Sequence, residues 1–225
     1  MQLTENTMNV LRNFSSINAN FVARSGNNIK TMADSRSVVS SASLDQEFPK
    51  DFGIYDLNEF LSVLSLVDTP NLNFDEHFVT ISDSSGRSKV KYFFSDPEIL
   101  TSPKNDVKMP EGEVSFSLDA NTIAHVKRAS AALGHTTLSV EPDGASLKLS
   151  VFDENNATSN TYDTIIAGTF PENANFKLIF NIAHLKLIAG DYNVSVSSKL
   201  VSRFDHTVDN ISYWIALEKS SDWSG

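Results

Sequence analysis

The segment Phe52 to Val67 (FGIYDLNEFLSVLSLV) runs from an apolar strand straight into an amphipathic helix. Asp56 stands where its carboxylate accepts from the free N–H groups of the first turn, and Glu59, three residues on, completes the spacing of a capping box. Leu57, Phe60, Leu61, Leu64 and Val67 then share one face, with Asn58, Glu59, Ser62 and Ser65 on the other, so one face must be buried. A second copy of the unit lies in the other half, with Phe176 to Phe180 as strand, Asn181 as cap, Ile182 and Leu185 as apolar face and Gly190 as stop. A chain built twice in this way folds as two similar α+β halves. Its 225 residues are enough for two such halves, each with its own core.

Taken in order, Thr4 caps a first helix whose stripe is Val10, Leu11, Phe14 and Ile17 and whose outer face carries Arg12. Ser25 to Asn28 reads as a hairpin turn between two short strands, Val38 to Leu44 as a third strand, and Asn73 to Ser82 and Lys89 to Phe94 as strand runs joined through Asp83 to Gly86. Ser95 to Gly112 holds Pro97, Pro103 and Pro110 and shows no period, which marks a connector. The expected domains are therefore 1–94 and 113–225, with 95–112 between them. In the second, Asp119 caps a helix with Ile123, Val126 and Leu133 inward and Gly134 as its stop. Strands follow at Thr136 to Val140, Ala145 to Val151 and Ala157 to Gly168, then a short helix over Asn181 to Ile188, then strands at Tyr192 to Ser197 and Ser212 to Leu217.

The residues for catalysis are missing at the spacings that catalysis needs. The nine glycines are scattered and form no phosphate-cradling loop, the five histidines include no pair at metal-ligand helical spacing, and there is no cysteine for a thiolate site or a disulfide. No Gly-x-Ser-x-Gly elbow occurs, and the N-terminus lacks the basic and apolar runs of a signal peptide. The expectation is a protein without an active site, cofactor or metal. A net charge of −10 disfavours a surface that binds nucleic acid everywhere, but leaves room for a local basic lining. Arg12, Lys127, Arg128 and Lys186 sit on the polar flanks of the expected helices. From composition alone they read as a solvated face or as such a lining.

Several stretches, taken together over some two hundred residues, resemble the DNA polymerase sliding clamps of T-even-type tailed bacteriophages. They are Leu11 to Asn18 (LRNFSSIN) with Ser25 and Gly26, and Ile54 to Asn58 (IYDLN) with Phe60, Leu61 and Leu64 to Val67. In the second half they are Phe176 to Ala183, Gly190 to Tyr192 (GDY) and Tyr213 to Glu218 (YWIALE). The resemblance implies a sliding-clamp fold with two similar domains per chain, assembled as a homotrimeric ring with helices lining the hole and antiparallel sheets outside. It implies no catalysis. Duplex DNA is encircled without sequence reading, the replicative polymerase is tethered by its C-terminal peptide, and an ATP-dependent clamp loader opens the ring.

By the same resemblance, Arg12, Lys127, Arg128 and Lys186 face DNA, and Val39, Trp214, Ile215 and Ala216 form the peptide pocket beside the connector. Subunits would meet through Arg87 to Phe94 against Ala157 to Gly168, with Val90, Tyr92, Tyr162 and Ile165 at the contact. A part in late viral transcription and a place in the cytoplasm of the infected host also follow from the resemblance, and no membrane association. The competing class is a non-enzymatic phage structural protein rich in β-strand, equally acidic and cysteine-free. Helices at duplicated positions argue against it.

Overall fold

Thr4 opens the first helix as its position requires: its backbone is extended, its hydroxyl accepts from the Thr7 N–H, and α1 follows over Glu5–Ile17. This computed structural model describes residues 1–224. The chain forms two units, Met1–Asp106 and the residues from Val107 onward.

In the first unit, β1 (Phe21–Ala23), β2 (Gly26–Met32), β3 (Val38–Phe48) and β4 (Phe52–Ile54) lie in the order β4-β1-β2-β3, all antiparallel. Val10, Leu11, Phe14 and Ile17 of α1 are buried against this sheet. Phe14 is fully enclosed, and burial of a side chain that size stabilises by about 1.5–3 kcal/mol. Phe21, Phe48, Phe52, Phe74 and Phe94 form one ring cluster with centroids 5.0 to 6.4 Å apart, mostly edge to face.

Helix α2 (Leu57–Leu64) starts at Asp56, whose Oδ1 accepts from the N–H groups of Asn58 at 2.9 Å and Glu59 at 3.2 Å. The second arm of the expected capping box does not form. Glu59 instead accepts from the Tyr92 hydroxyl at 3.1 Å, and the Tyr92 ring meets Phe60 edge-on at 5.1 Å. Burial, and then the bond to Glu59, push the Tyr92 phenol above its ordinary range.

The expected single run Asn73 to Ser82 is a hairpin, because Asp75, Glu76 and His77 turn the chain between β5 (Asn71–Phe74) and β6 (Phe78–Ser82). β7 (Lys89–Phe93) completes a three-stranded sheet in the order β5-β6-β7. The connector then lies down on the first sheet. A Cβ on Gly53 would fall 2.5 Å from the Ser95 carbonyl oxygen and 2.7 Å from Leu100, so bare backbone permits the approach. Asn20 accepts from the Thr101 N–H at 3.0 Å, and Lys30 pairs with Asp106.

The second unit repeats the progression of helix, strands, short helix or 3-10 turn, and strands, with an added strand before the first helix. β8 (Val114–Leu118) leads to α3 (Ala120–Leu133), which Asp119 caps through the Thr122 N–H at 2.6 Å and which Gly134 ends at φ +74°. Next come β9 (Thr137–Asp143), β10 (Ser146–Phe152), β11 (Tyr162–Ile166), β12 (Gly168–Thr169) and β13 (Asn175–Asn181). The chain finishes with β14 (Tyr192–Ser197), β15 (Val201–His206), β16 (Ile211–Ala216) and β17 (Asp222–Ser224). One sheet runs β12-β8-β14-β15-β16 and the other β11-β10-β9-β13-β17. Phe180, Tyr192, Phe204 and Tyr213 fill the core.

Three expectations are corrected in this unit. The helix over Asn181 to Ile188 is a single 3-10 turn, Ile182–His184, although Asn181 caps it through the Ala183 N–H at 3.0 Å as expected. Leu185 and Leu187 are buried while Lys186 between them is exposed, which is the alternation of extended chain. The run Ala157 to Gly168 shortens to β11 with the two-residue β12, since Asp153 and Asn156 hold the preceding residues in turns. β15 and β17 were not anticipated, and β15 is an interior strand, paired with β14 on one side and β16 on the other. Among the described residues no helix is long and apolar enough to cross a membrane.

Candidate nucleic-acid interface

Helix α3 carries Lys127 and Arg128 on its exposed side, with exposed His125 beside them and no carboxylate anywhere in Ala120–Leu133. In a chain of net charge −10 this is a local reversal of sign. Ala124 and Ala131, also exposed, flank the cations and leave their side chains room to sweep. Desolvation by the surrounding protein lowers the Lys127 ammonium below the usual lysine range. On α1, Arg12 is exposed and donates to Asn9 at 3.2 Å. The exposed side of α2, Asn58, Glu59 and Ser62, has no cation. Lys186 is exposed, but on extended chain past the 3-10 turn rather than on a fourth helix.

A second surface lies on the face of β14, β15 and β16 turned away from the core. Gly112, at the end of the connector, packs against Ser195 so closely that a Cβ would fall 1.9 Å from its hydroxyl. The next residue, Glu113, accepts from the backbone N–H and hydroxyl of Ser198 at 2.8 and 2.7 Å. Ser195 is paired with Arg203, and Arg203 with Trp214, so the three cross the sheet on one face. The Arg203 guanidinium lies 5.4 Å from the Trp214 ring and donates through Nε to Asp205 at 2.8 Å. Ser212 donates to the same carboxylate oxygen at 2.5 Å.

Trp214 and Ala216 are half-buried on this face, and the indole Nε1 is buried with no hydrogen-bond partner among the described residues. Ile215 points the other way and is fully buried in the core, as strand alternation demands. Val39, half-buried, belongs to β3 of the first unit. Arg203 was not singled out from the sequence. The alternation of Arg203 and Asp205 between buried Ser202, Phe204 and the Tyr192-facing His206 was the available signal.

The third feature is a pair of open sheet edges. Among the described residues β7 pairs only with β6, and β11 only with β10. Val90 and Tyr92 face inward on β7, as does Tyr162 on β11, while Phe93 (65% exposed) and Ile165 (53%) face outward. Phe93 was missed because on β7 only the inward Val90 and Tyr92 were singled out, although outward Ile165 was named on β11. Large apolar side chains left outward on unpaired edges call for a partner strand. No cluster of three or more His, Asp or Glu residues that could hold a metal occurs among the described residues.

Two consecutive α+β units, each with two antiparallel sheets and a helix (α1, α3) that leads into an antiparallel hairpin, are the two-domain fold of sliding clamps. Crystal structures of that fold match nearly the whole chain. Proliferating cellular nuclear antigen from Thermococcus kodakaraensis matches with TM-score 0.70 at 13% identity, over 94% of this chain and 95% of that one. The homologue from Entamoeba histolytica gives 0.65 at 14%, over 95% of each. At such identities the likeness shows the fold.

Sequence relatives take the assignment further. Residues 4–98 match the family described as DNA polymerase processivity factor, and residues 115–219 the family described as gp45 sliding clamp, C terminal. The sliding clamp of Vibrio phage KVP40 is 32% identical over 223 residues, 97% of this chain and 99% of that protein. Those of Escherichia phage RB69 and Enterobacteria phage T4 are 26% and 25% identical, each over 98% of both chains. The chain belongs to the sliding clamps of T4-like phages, the DNA polymerase processivity factors of phage replication.

Proposed function

We propose that three copies of the chain close into a ring through β7 of one against β11 of the next, and that the ring encircles duplex DNA with the exposed sides of α1, α2 and α3 toward the hole. The observation that carries this reading is the coexistence, in one chain, of two unpaired edges with outward apolar residues and a carboxylate-free basic helix face. The lining holds phosphates without reading bases, since a base-specific bond would stop the ring at one sequence. Lys127 and Arg128 are its main cations, supported by Arg12 and Lys186. The ring catalyses no step. It keeps a released polymerase at high effective concentration, so that rebinding outruns escape. Opening it falls to a separate ATP-driven loader, and the work is done in the cytoplasm of the infected host.

Reversing Lys127 and Arg128 together to Glu leaves the apolar face of α3 untouched. Loading onto primed DNA is expected to fall at least about tenfold, with the sedimentation coefficient unchanged. Unaltered loading would remove α3 from the lining.

The polymerase peptide binds, in this proposal, on the sheet face between Gly112, Arg203, Trp214 and Ala216. Trp214 is the anchor, and a buried aromatic anchor carries about 2 kcal/mol or more, roughly thirtyfold in affinity. Trp214→Ala is expected to weaken binding of a labelled C-terminal polymerase peptide by about that factor while the ring persists. Equal affinities of the two proteins would place the peptide elsewhere.

A further inference from the structure

We propose that the ring closes in one register, set by an ion pair between Lys91 of one copy and Asp163 of the next. The inference rests on the ring reading above and names the contact that makes it specific. Residues 84 to 95 contain Arg87, Lys89 and Lys91 and no carboxylate. Residues 153 to 176 contain Asp153, Glu154, Asp163 and Glu172 and no Lys or Arg. The two open edges are thus opposite in charge, and a second copy of the chain supplies each with its complement.

Strand geometry narrows the pairing. Tyr92 reaches Phe60 and Glu59 of α2, so Val90 and Tyr92 face the core, and Lys89, Lys91 and Phe93 face outward. On β11, Tyr162, Thr164 and Ile166 stand opposite Val151, Leu149 and Leu147 of the core, which leaves Asp163 and Ile165 outward. Every strand pair within the two units is antiparallel. An antiparallel junction that keeps both cores on one side must oppose outward residues to outward residues, because a slip of one position would turn a core face to water.

Two registers satisfy that rule with the longest overlap. One sets Lys91 opposite Asp163 and Lys89 opposite Ile165. The other sets Lys91 opposite Ile165 and Phe93 opposite Asp163, which buries a carboxylate against an aromatic ring and leaves the charges unmatched. The first joins opposite charges and lays the Lys89 stem along Ile165. Lys91 is also held ready: its Nζ lies 4.0 Å from the centroid of Phe78 and 6.0 Å from that of Phe93, with no carboxylate partner among the described residues. Asp163 is exposed, and its carboxylate makes no hydrogen bond or ion pair among them. A cation already fixed on aromatic faces gives up little side-chain freedom when it pairs.

The test is a charge exchange followed by sedimentation over a concentration series. Lys91→Asp and Asp163→Lys alone are each expected to raise the concentration of half-dissociation at least about tenfold, and the two together to return it to within about threefold of the parent. Because the chain has no cysteine, register is read separately by oxidising Lys91→Cys combined with Asp163→Cys, and Lys91→Cys combined with Ile165→Cys. Covalent oligomers are expected from the first combination in clear excess over the second. A combined charge exchange that recovers nothing, or crosslinking that favours position 165, would overturn the pairing while leaving the ring in place. A parent protein that sediments as a monomer at every concentration would remove the ring and the pair together.

Discussion

Clamps loaded onto a nicked circle are expected to remain there at salt that strips an ordinary DNA-binding protein, and to leave once the circle is cut. A binder that neutralises six to ten phosphates loses about 10³ to 10⁵ in affinity between roughly 50 and 200 mM salt, because each contact surrenders a released counterion. A closed ring is held by linkage, to which salt is indifferent while the subunit contacts hold. In the proposed ring, Arg12, Lys127, Arg128 and Lys186 draw DNA in and cushion it, and their contribution can fade without release. The measurement is gel filtration of loaded circles, before and after linearisation, at low and high salt. Retention on linear DNA, or rapid loss from circles at moderate salt, would mean surface binding and would overturn encirclement.

The largest loss of stability is expected from Gly190→Ala. Gly190 has φ +152°, and a Cβ there would fall 2.0 Å from Nε2 of His206. That ring cannot swing aside. Its Nδ1 accepts from the N–H groups of Val208 at 3.2 Å and Asp209 at 2.8 Å, and Tyr192 packs edge-on against it at 5.0 Å. The new methyl must therefore displace backbone, at a cost of about 3 kcal/mol or more. For a chain of this size that lowers the melting temperature by about 6 to 12 °C. Adding His206→Ala should recover part of the loss by vacating the space. Calorimetry of the single and double variants checks both statements, and an unchanged melting curve for Gly190→Ala would show that the close approach is not rigid.

Gly190 also shows how far the sequence could be read. It was read as a helix stop, but the turn before it ends at His184; the histidine that excludes a side chain is sixteen positions away, and no local pattern announces it. The caps at Thr4, Asp56 and Asp119, and the stop at Gly134, were legible because they are chemistry within one turn of chain. Glu59 was read locally as a cap and is claimed by Tyr92, a partner thirty-three residues on. β15 escaped notice because Arg203 and Asp205 make its outer positions charged, although buried Ser202 and Phe204 alternate with them. The fourth helix failed for a related reason: Ile182 and Leu185 fit a helical period, and only the burial of Leu187 beside exposed Lys186 reveals extended chain.

Of the candidate site, the exposure of the α3 cations was readable from residue type and spacing, whereas Trp214 was reached only through the family resemblance. Which side of a strand meets water was not readable, and that separates Trp214 from Ile215 and Phe93 from Tyr92.

The thinness of the basic face on these helices bears on motion. With Lys127 and Arg128 on α3, Arg12 alone on α1 and no cation on the exposed side of α2, few phosphates are engaged at any instant in the proposed ring. An exposed pair of this kind is worth about 0–1 kcal/mol, which is comparable to thermal energy. Each advance along the duplex then crosses only shallow barriers as one contact is exchanged for the next. Drag comes from solvent and from following the groove rather than from electrostatic friction. A densely basic channel would grip more tightly and diffuse more slowly, whereas sparse charge lets the ring keep pace with a polymerase while linkage alone keeps it from leaving.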